Sequence, residues 1–181
     1  MSGCSEEIFE ILDEQDRVIG RAPRRLCHGD PSLIHRVAHV MVFNKKGELL
    51  LQKRSPDKDI QPGRWDTSVG GHLALGEDYR AAAGRETREE LGLENLALTY
   101  LYGSRIRNEI ESENVATFMA VAEGPFAFDT REIETVRFWT ATEIAIALGS
   151  GVFTSHFEEE WRSYLRWRQG RAASGQGHPP I

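Results

Sequence analysis

Short apolar runs separated by polar turns fill most of the chain, and three stretches replace that rhythm with helical periodicity. Ile8–Leu12 and residues 17–20 flank the polar run Asp13-Glu14-Gln15-Asp16, a pattern that predicts an N-terminal hairpin. Residues 35–43 are rich in Val and other apolar side chains and read as a buried strand. The turn Asn44-Lys45-Lys46-Gly47 then returns the chain into a strand over 48–53. A polar loop over 56–63, with prolines at Pro56 and Pro62, leads to a short strand over 65–71 ending in a Gly-Gly turn. Further strands are predicted over 96–106, 114–122 and 136–140.

The first helix is predicted over 78–91, where Ala81, Ala82 and Ala83 favour it and Gly92 stands where a C-terminal stop belongs. Gly84 inside it costs about 1 kcal/mol relative to Ala, which a close approach to another element would explain. A short helix follows over 142–148. Ser155-His156-Phe157-Glu158 has the pattern of a capping box and opens a last helix, with Phe157, Trp161, Tyr164 and Leu165 on one core-facing stripe. Residues 170–181 lack apolar periodicity and predict a mobile tail beyond a single domain over 1–169. Strands mixed with three helices predict an α+β fold, a mixed sheet packed between helices.

Composition narrows the function. The chain has 181 residues with no repeat or linker, which fits one domain, and its net charge is −6 with no basic patch. That balance argues against a general binder of nucleic-acid polymers or membrane surfaces. Nucleotides stay open, because a bound cation reverses the local sign. Cys4 and Cys27 have no metal-ligand spacing and fit unpaired thiols in a reducing compartment. The acidic start MSGCSEEIFEILDE and the lack of a long apolar run predict a cytoplasmic chain with no membrane span. The oligomeric state is left open, a homodimer included.

The chemistry concentrates in the run Arg85-Glu86-Thr87-Arg88-Glu89-Glu90. Residues three and four apart share a helix face, so Glu86, Glu89 and Glu90 present their carboxylates together. Like charges so placed destabilise a helix by roughly a few tenths of a kcal/mol per pair, and a cation among them reverses that. Carboxylate oxygens are the ligands preferred by hard cations such as Mg²⁺, which commonly bridge to substrate phosphates.

Residues 71–93 resemble the Nudix box, G-x5-E-x7-R-E-U-x-E-E-x-G-U, with U aliphatic. Gly71, Glu77, Arg85, Glu86, Glu89, Glu90, Gly92 and Leu93 fall on its positions, and Thr87 departs where an aliphatic residue is usual. Seven fixed positions would coincide by chance in roughly one window in 10⁸, so a merely solvated acidic face is disfavoured. The resemblance implies an α/β/α sandwich and a Mg²⁺- or Mn²⁺-dependent pyrophosphatase. On its terms Glu86 and Glu90 are metal ligands, Glu89 a third ligand or the group that orients water, and Gly71 the donor of a backbone carbonyl. Arg85 aims a carboxylate, and Glu77 is either structural or catalytic. Family members often draw a further acidic residue from a later loop, for which Glu109, Glu111 and Glu113 are the candidates. Arg54 is a candidate phosphate contact.

The segment LLLQKRSPDKDIQPGRWDTSVGGH is similar to the superfamily branch containing isopentenyl-diphosphate isomerase, which carries P-G-x-W-x-x-S-V-C-G-H. His28, His35 and His72 match the histidines of that branch's metal site in relative spacing and form a candidate second metal site. Two departures favour hydrolysis: Gly70 stands at the isomerase's catalytic cysteine, and the Nudix box here, unlike the isomerase's degenerate one, retains Arg85, Glu86, Glu89 and Glu90. Asn114 falls where a later isomerase glutamate is expected. The function expected is hydrolysis of a small-molecule diphosphate linked to another moiety, a nucleoside diphosphate derivative being the favoured class. The alternatives are an isoprenoid-diphosphate isomerase and a non-catalytic nucleotide-binding module.

Overall fold

In the computed structural model, which describes residues 6–58 and 60–174, the predicted hairpin forms from β1 (Ile8–Leu12) and β2 (Val18–Pro23). A turn of helix not predicted from the sequence, α1 (Arg24–Cys27), follows; four residues are too few to show a helical period. The chain continues through β3 (Ile34–Phe43), β4 (Leu49–Arg54), β5 (Trp65–Asp66) and β6 (Val69–His72) into α2 (Tyr79–Leu91). It then runs through β7 (Thr99–Arg107), β8 (Ser112–Val121) and β9 (Ile133–Trp139) to α3 (Ala141–Ala147) and α4 (Ser155–Ala173). The strand expected over 65–71 divides in two. Between its halves Ser68 Oγ accepts the Val42 N–H at 2.9 Å and donates to the Leu50 carbonyl at 2.5 Å, standing in for ladder bonds between β3 and β4.

Strand β3 is the axis of the sheet. It runs parallel to β8 along its whole length on one edge. On the other it meets β1 at Ile34, β6 over Val37–Val40 and β4 at Phe43, all antiparallel. Strand periodicity of two sorts its side chains onto opposite faces. Ala38, Val40 and Val42 pack with Leu50, Ala116 and Phe118 against Ala82, Ala83 and Leu91 of α2. Met41 and Phe43 pack with Leu49, Leu51 and Met119 against Ile144 of α3 and Phe157, Trp161 and Tyr164 of α4. A mixed sheet between helices, the expected α+β sandwich, is therefore what the alternation builds.

Three local expectations need correction. The last helix is capped by Thr154, whose Oγ1 accepts the Phe157 N–H at 3.1 Å; Ser155 is already helical, and Glu158 bonds the Gly149 N–H instead. That helix runs to Ala173, so the first residues of the expected tail are helical, and residues 175–181 lie outside the described residues. Gly84 has nothing within 4 Å of an added Cβ, and no packing contact explains it. Thr87, the departure in the acidic helix, is buried and donates to the Ala83 carbonyl at 2.6 Å, so its hydroxyl is satisfied within the helix.

Leu50 is 1% exposed on the α2 side of the sheet, whereas Ile146 is 79% exposed. Leu50→Ala should lower stability by about 3 kcal/mol and Ile146→Ala by under about 0.5 kcal/mol, read by urea denaturation.

Candidate active site

The acidic cluster is set by how closely α2 lies on β6. The helix starts at Asp78, whose side chain accepts the Ala81 N–H, and ends at Gly92 with a left-handed φ of 67°. A Cβ added at Gly71 would stand 2.0 Å from Glu86 Cδ, so only glycine lets the Glu86 carboxyl occupy its place. The Arg85 guanidinium then spreads over the cluster. Its Nε and Nη2 grip both oxygens of Glu77 at 3.0 and 2.9 Å, and Nη2 also donates to the His72 carbonyl at 2.9 Å. Its Nη1 reaches Glu86 at 2.7 Å and Glu89 at 3.1 Å. Arg85 thus aims the carboxylates, and Glu77 anchors Arg85, as an outer partner would.

Glu90 lies deeper, accepting from Gln52 Nε2 at 3.1 Å and from the Gly70 N–H at 3.4 Å. Burial, with Glu86 one turn away, pushes the Glu90 carboxyl up to about 8. Burial also raises Glu86, with Arg85 opposing. Carboxylates held together against their own repulsion form a donor set that a hard divalent cation fits.

A second donor set lies beside the first. His28, His35, His72 and Glu113 place one ligand atom each within 4.8 Å of one another. Sheet register assembles them, for His35 pairs with Glu113 across β3 and β8 while Val37 pairs with His72 across β3 and β6. His35 Nδ1 donates to the Leu33 carbonyl at 3.2 Å, which fixes the tautomer and leaves the buried Nε2 without a hydrogen bond. Burial lowers His28 and His72 toward the neutral form. Burial alone would raise Glu113, but the flanking imidazoles of His35 and His72, with Nε2 at 3.4 and 3.5 Å from its Oε1, hold it well below the usual carboxylate range. Three imidazoles, one with an orphaned nitrogen, around an ionised carboxylate fit a transition-metal ion such as Mn²⁺.

Both sets open into one cavity of about 460 Å³. Of the expected later acidic residues, Glu113 joins the histidines and Glu111 lies between His156 Nε2 at 3.5 Å and His28 Nε2 at 4.0 Å. Glu109 is exposed and does not line the cavity. Asn114 does not serve the site, since it bonds Asp16 and Arg107 instead; the adjacent Glu113 is the carboxylate that faces the histidines. Arg54 lines the cavity, tied to Asp66 at 3.3 Å and to the Ile60 carbonyl. Sequence reasoning missed Arg24 and Lys58, which add cationic side chains to the wall, and Gln52.

It also missed a pair at the cavity floor. His39 Nδ1 donates to Glu160 Oε1 at 2.9 Å, joining β3 to α4. Burial would lower His39, but the charge and hydrogen bond of Glu160 outweigh it and push the imidazole up to about 9. The same partner, against the effect of burial, holds Glu160 below its ordinary value. The signal was present in each element: a histidine inside an apolar strand, and a carboxylate beside Trp161 on an aromatic helix stripe. Cys27 is buried with Phe9, Ile11 and Ala22, away from solvent. Among the described residues no helix is long and apolar enough to cross a membrane.

Residues 33–157 match the NUDIX domain model. An isopentenyl-diphosphate Delta-isomerase of Streptomyces avermitilis is 34% identical over 163 residues, 86% of this chain and 83% of the relative. An uncharacterized Nudix hydrolase of Pseudomonas aeruginosa is 36% identical over 133 residues, 73% of this chain and 78% of the relative. Among solved structures, a Deinococcus radiodurans protein superposes with TM-score 0.73 at 26% identity, covering 87% of this chain and 98% of that one. A C. elegans Ap4A hydrolase, at TM-score 0.55 and 22% identity over 75% of this chain and 98% of that one, shares the fold.

The floor pair predicts a pH dependence. His39 rises from 6.5 to about 9 on folding, so its contribution is complete below about 6.5 and lost as pH climbs through about 9. The depressed Glu160 contributes above its ordinary value and loses this as pH falls. The melting-temperature gap between the native chain and His39→Gln should be widest near pH 6 and should narrow steadily to pH 9.5. A gap that is flat between pH 6.5 and 9.5 would contradict the charged pair.

Proposed function

The chain belongs to the Nudix family, whose hydrolases act on diphosphate-linked substrates, and on that premise we propose a divalent-metal-dependent pyrophosphate hydrolase. Its substrate is a small diphosphate attached to another moiety, a nucleoside diphosphate derivative in class. The observation that carries this is the Gly71–Glu86 approach with the Arg85 fork on Glu86 and Glu89, beside Glu90 held by Gln52 and the Gly70 N–H. Glu86, Glu90 and the Gly71 carbonyl would hold Mg²⁺ or Mn²⁺, with Glu89 as third ligand or water-orienting group. When bound, such an ion neutralises charge on phosphoryl oxygens and makes a water nucleophilic. His28, His35, His72 and Glu113 would hold a second ion.

The chain's own residues position the reactants. Arg85 keeps Glu86 and Glu89 aimed, and Gln52 and the Gly70 N–H keep Glu90 facing the cavity. Arg24, Arg54 and Lys58 bring positive charge to the wall, where a diphosphate needs it. Glu111 lines the same cavity and, with Glu113 placed among the histidines, is the remaining candidate for a general base. Free, buried Cys27 fits a cytoplasmic setting.

The second reading, isoprenoid-diphosphate isomerisation, is favoured by the histidine cluster and by the isomerase relatives. Against it, position 70 carries no thiol, and Cys27 is sealed in the core. General-acid assistance, typically worth about 10²–10⁴-fold, then lacks the donor that the isomerase uses.

Three measurements bear on this. A panel of nucleoside diphosphates, triphosphates, dinucleotides, sugar nucleotides and isoprenoid diphosphates should contain compounds cleaved with Mg²⁺ or Mn²⁺; chelator should abolish the release of phosphate or nucleoside monophosphate. Full activity in excess chelator would falsify the metal assignment. Glu90→Gln should fold normally and lose about 10² or more in kcat, while near native kcat with every good substrate would contradict the assigned role. NMR in heavy water should show no enzyme-dependent deuterium uptake into isopentenyl or dimethylallyl diphosphate; uptake would restore the isomerase.

A further inference from the structure

At the cavity floor, Glu160 Oε2 and Thr67 Oγ1 are sealed side by side and offer nothing to an occupant. His39 differs from them. Its side chain keeps 13% of its surface exposed and lines the cavity. Its Nδ1 is taken by Glu160 Oε1 at 2.9 Å, whereas its Nε2 has no hydrogen-bond partner among the described residues and, unlike the Nε2 of His35, is not sealed. That edge of the ring faces position 70, where an added Cβ would stand 3.2 Å from Cδ2 and 3.4 Å from Nε2, so glycine is what leaves it uncovered. Gly70 also lines the cavity, and its N–H reaches Glu90 at 3.4 Å. The deepest carboxylate of the acidic cluster and the open imidazole edge therefore meet at one residue.

Charge decides what that edge can hold. Burial alone would discharge His39, but the carboxylates of Glu160 on α4, Glu113 on β8 and Asp66 on β5 together outweigh burial and keep the ring cationic. An imidazolium carries a proton on each nitrogen. With Nδ1 given to Glu160, the proton on Nε2 is a charged donor without an acceptor among the described residues. Such donors bind anionic oxygens about twice as strongly as neutral ones do. A phosphoryl group drawn to a cation on Glu90 brings oxygens of that kind to position 70. Resting on the diphosphate site proposed above, we infer that His39 contacts the substrate, its Nε2–H donating to a phosphoryl oxygen of the diphosphate, and that Glu160 is a positioning residue that acts through His39. Glu160 fixes the ring from its far side and does not meet the substrate. Gly70 serves both groups, giving its N–H to Glu90 and its missing side chain to His39.

The contact is read without turnover. The full chain, labelled with ¹⁵N in histidine and supplied with Mg²⁺, is titrated with methylenediphosphonate, a non-hydrolysable diphosphate, and followed by NMR. His39→Gln identifies the His39 signals by their loss. The Nε2–H resonance of His39 should move downfield and exchange more slowly with water as the probe binds. Isothermal titration should show His39→Gln binding the probe roughly tenfold or more weakly. Gly70→Ala leaves the His39–Glu160 pair in place and covers the edge. It should keep the pH dependence of melting that the pair gives the native chain, and yet bind roughly tenfold more weakly with no response at His39. A merely structural ion pair produces none of these responses. A His39 resonance unmoved at saturating probe, native affinity in His39→Gln or Gly70→Ala, or an equal response to malonate, which has no phosphorus, would overturn the assignment. Failure to bind methylenediphosphonate at all would overturn it together with the diphosphate site. A response at His39 in a chain that hydrolyses no natural diphosphate would sink the hydrolase reading and leave the His39 contact standing.

Discussion

The absence of a side chain at position 71 is the constraint on which the site depends. With a Cβ there, 2.0 Å from Glu86 Cδ, either α2 must lift off β6 or Glu86 must turn away. Without it, the helix rests on the strand through Ala82 and Ala83, both fully buried, and brings its acidic face to the strand ends. Arg85 can then bridge Glu77, Glu86, Glu89 and the His72 carbonyl with one planar group. A single guanidinium so placed offsets the repulsion between Glu86 and Glu89, while Glu90, buried and raised to about 8, is held by Gln52 and the Gly70 N–H instead.

Strand β3 links this cluster to the rest of the cavity. It holds His35 beside Glu113 of β8 and sets His72 of β6 opposite Val37, which brings the histidines together from distant parts of the sequence. Four residues on, the same strand carries His39, which faces the opposite helical layer through Glu160 of α4. Helix α2 therefore furnishes one wall of the cavity, the sheet its middle, and α4 its floor. An antiparallel pairing of β6 with β3 shifted by one residue would flip Gly71 and His72 to the wrong faces and dismantle both donor sets at once.

The elements were largely legible in the sequence because their periods are strong. The Val-rich apolar run over 35–43, its return over 48–53 and the alanine-rich run before Glu86 were enough to place these elements. The acidic cluster was legible too, since its members lie within one turn of helix. The histidine site was only half legible. His28, His35 and His72 could be counted, but their carboxylate depends on the β3–β8 register, which placed Glu113 and not Asn114 toward them. The floor pair was not read at all, because His39 and Glu160 are 121 positions apart and nothing local to either reports the other. The cap of α4 was misplaced by one residue because Thr154 and Ser155 are both good caps and only geometry chooses between them.

The central claim is that water attacks a phosphoryl group held at the carboxylate cluster. It is tested most directly by turnover of a cleaved diphosphate substrate in ¹⁸O-labelled water, with mass analysis of the products. The account predicts one labelled oxygen in one of the phosphate-bearing products, only when Mg²⁺ or Mn²⁺ is present, and no label in the native amount from Glu90→Gln. Products formed without the label, or labelled equally well in the absence of any divalent ion, would contradict it.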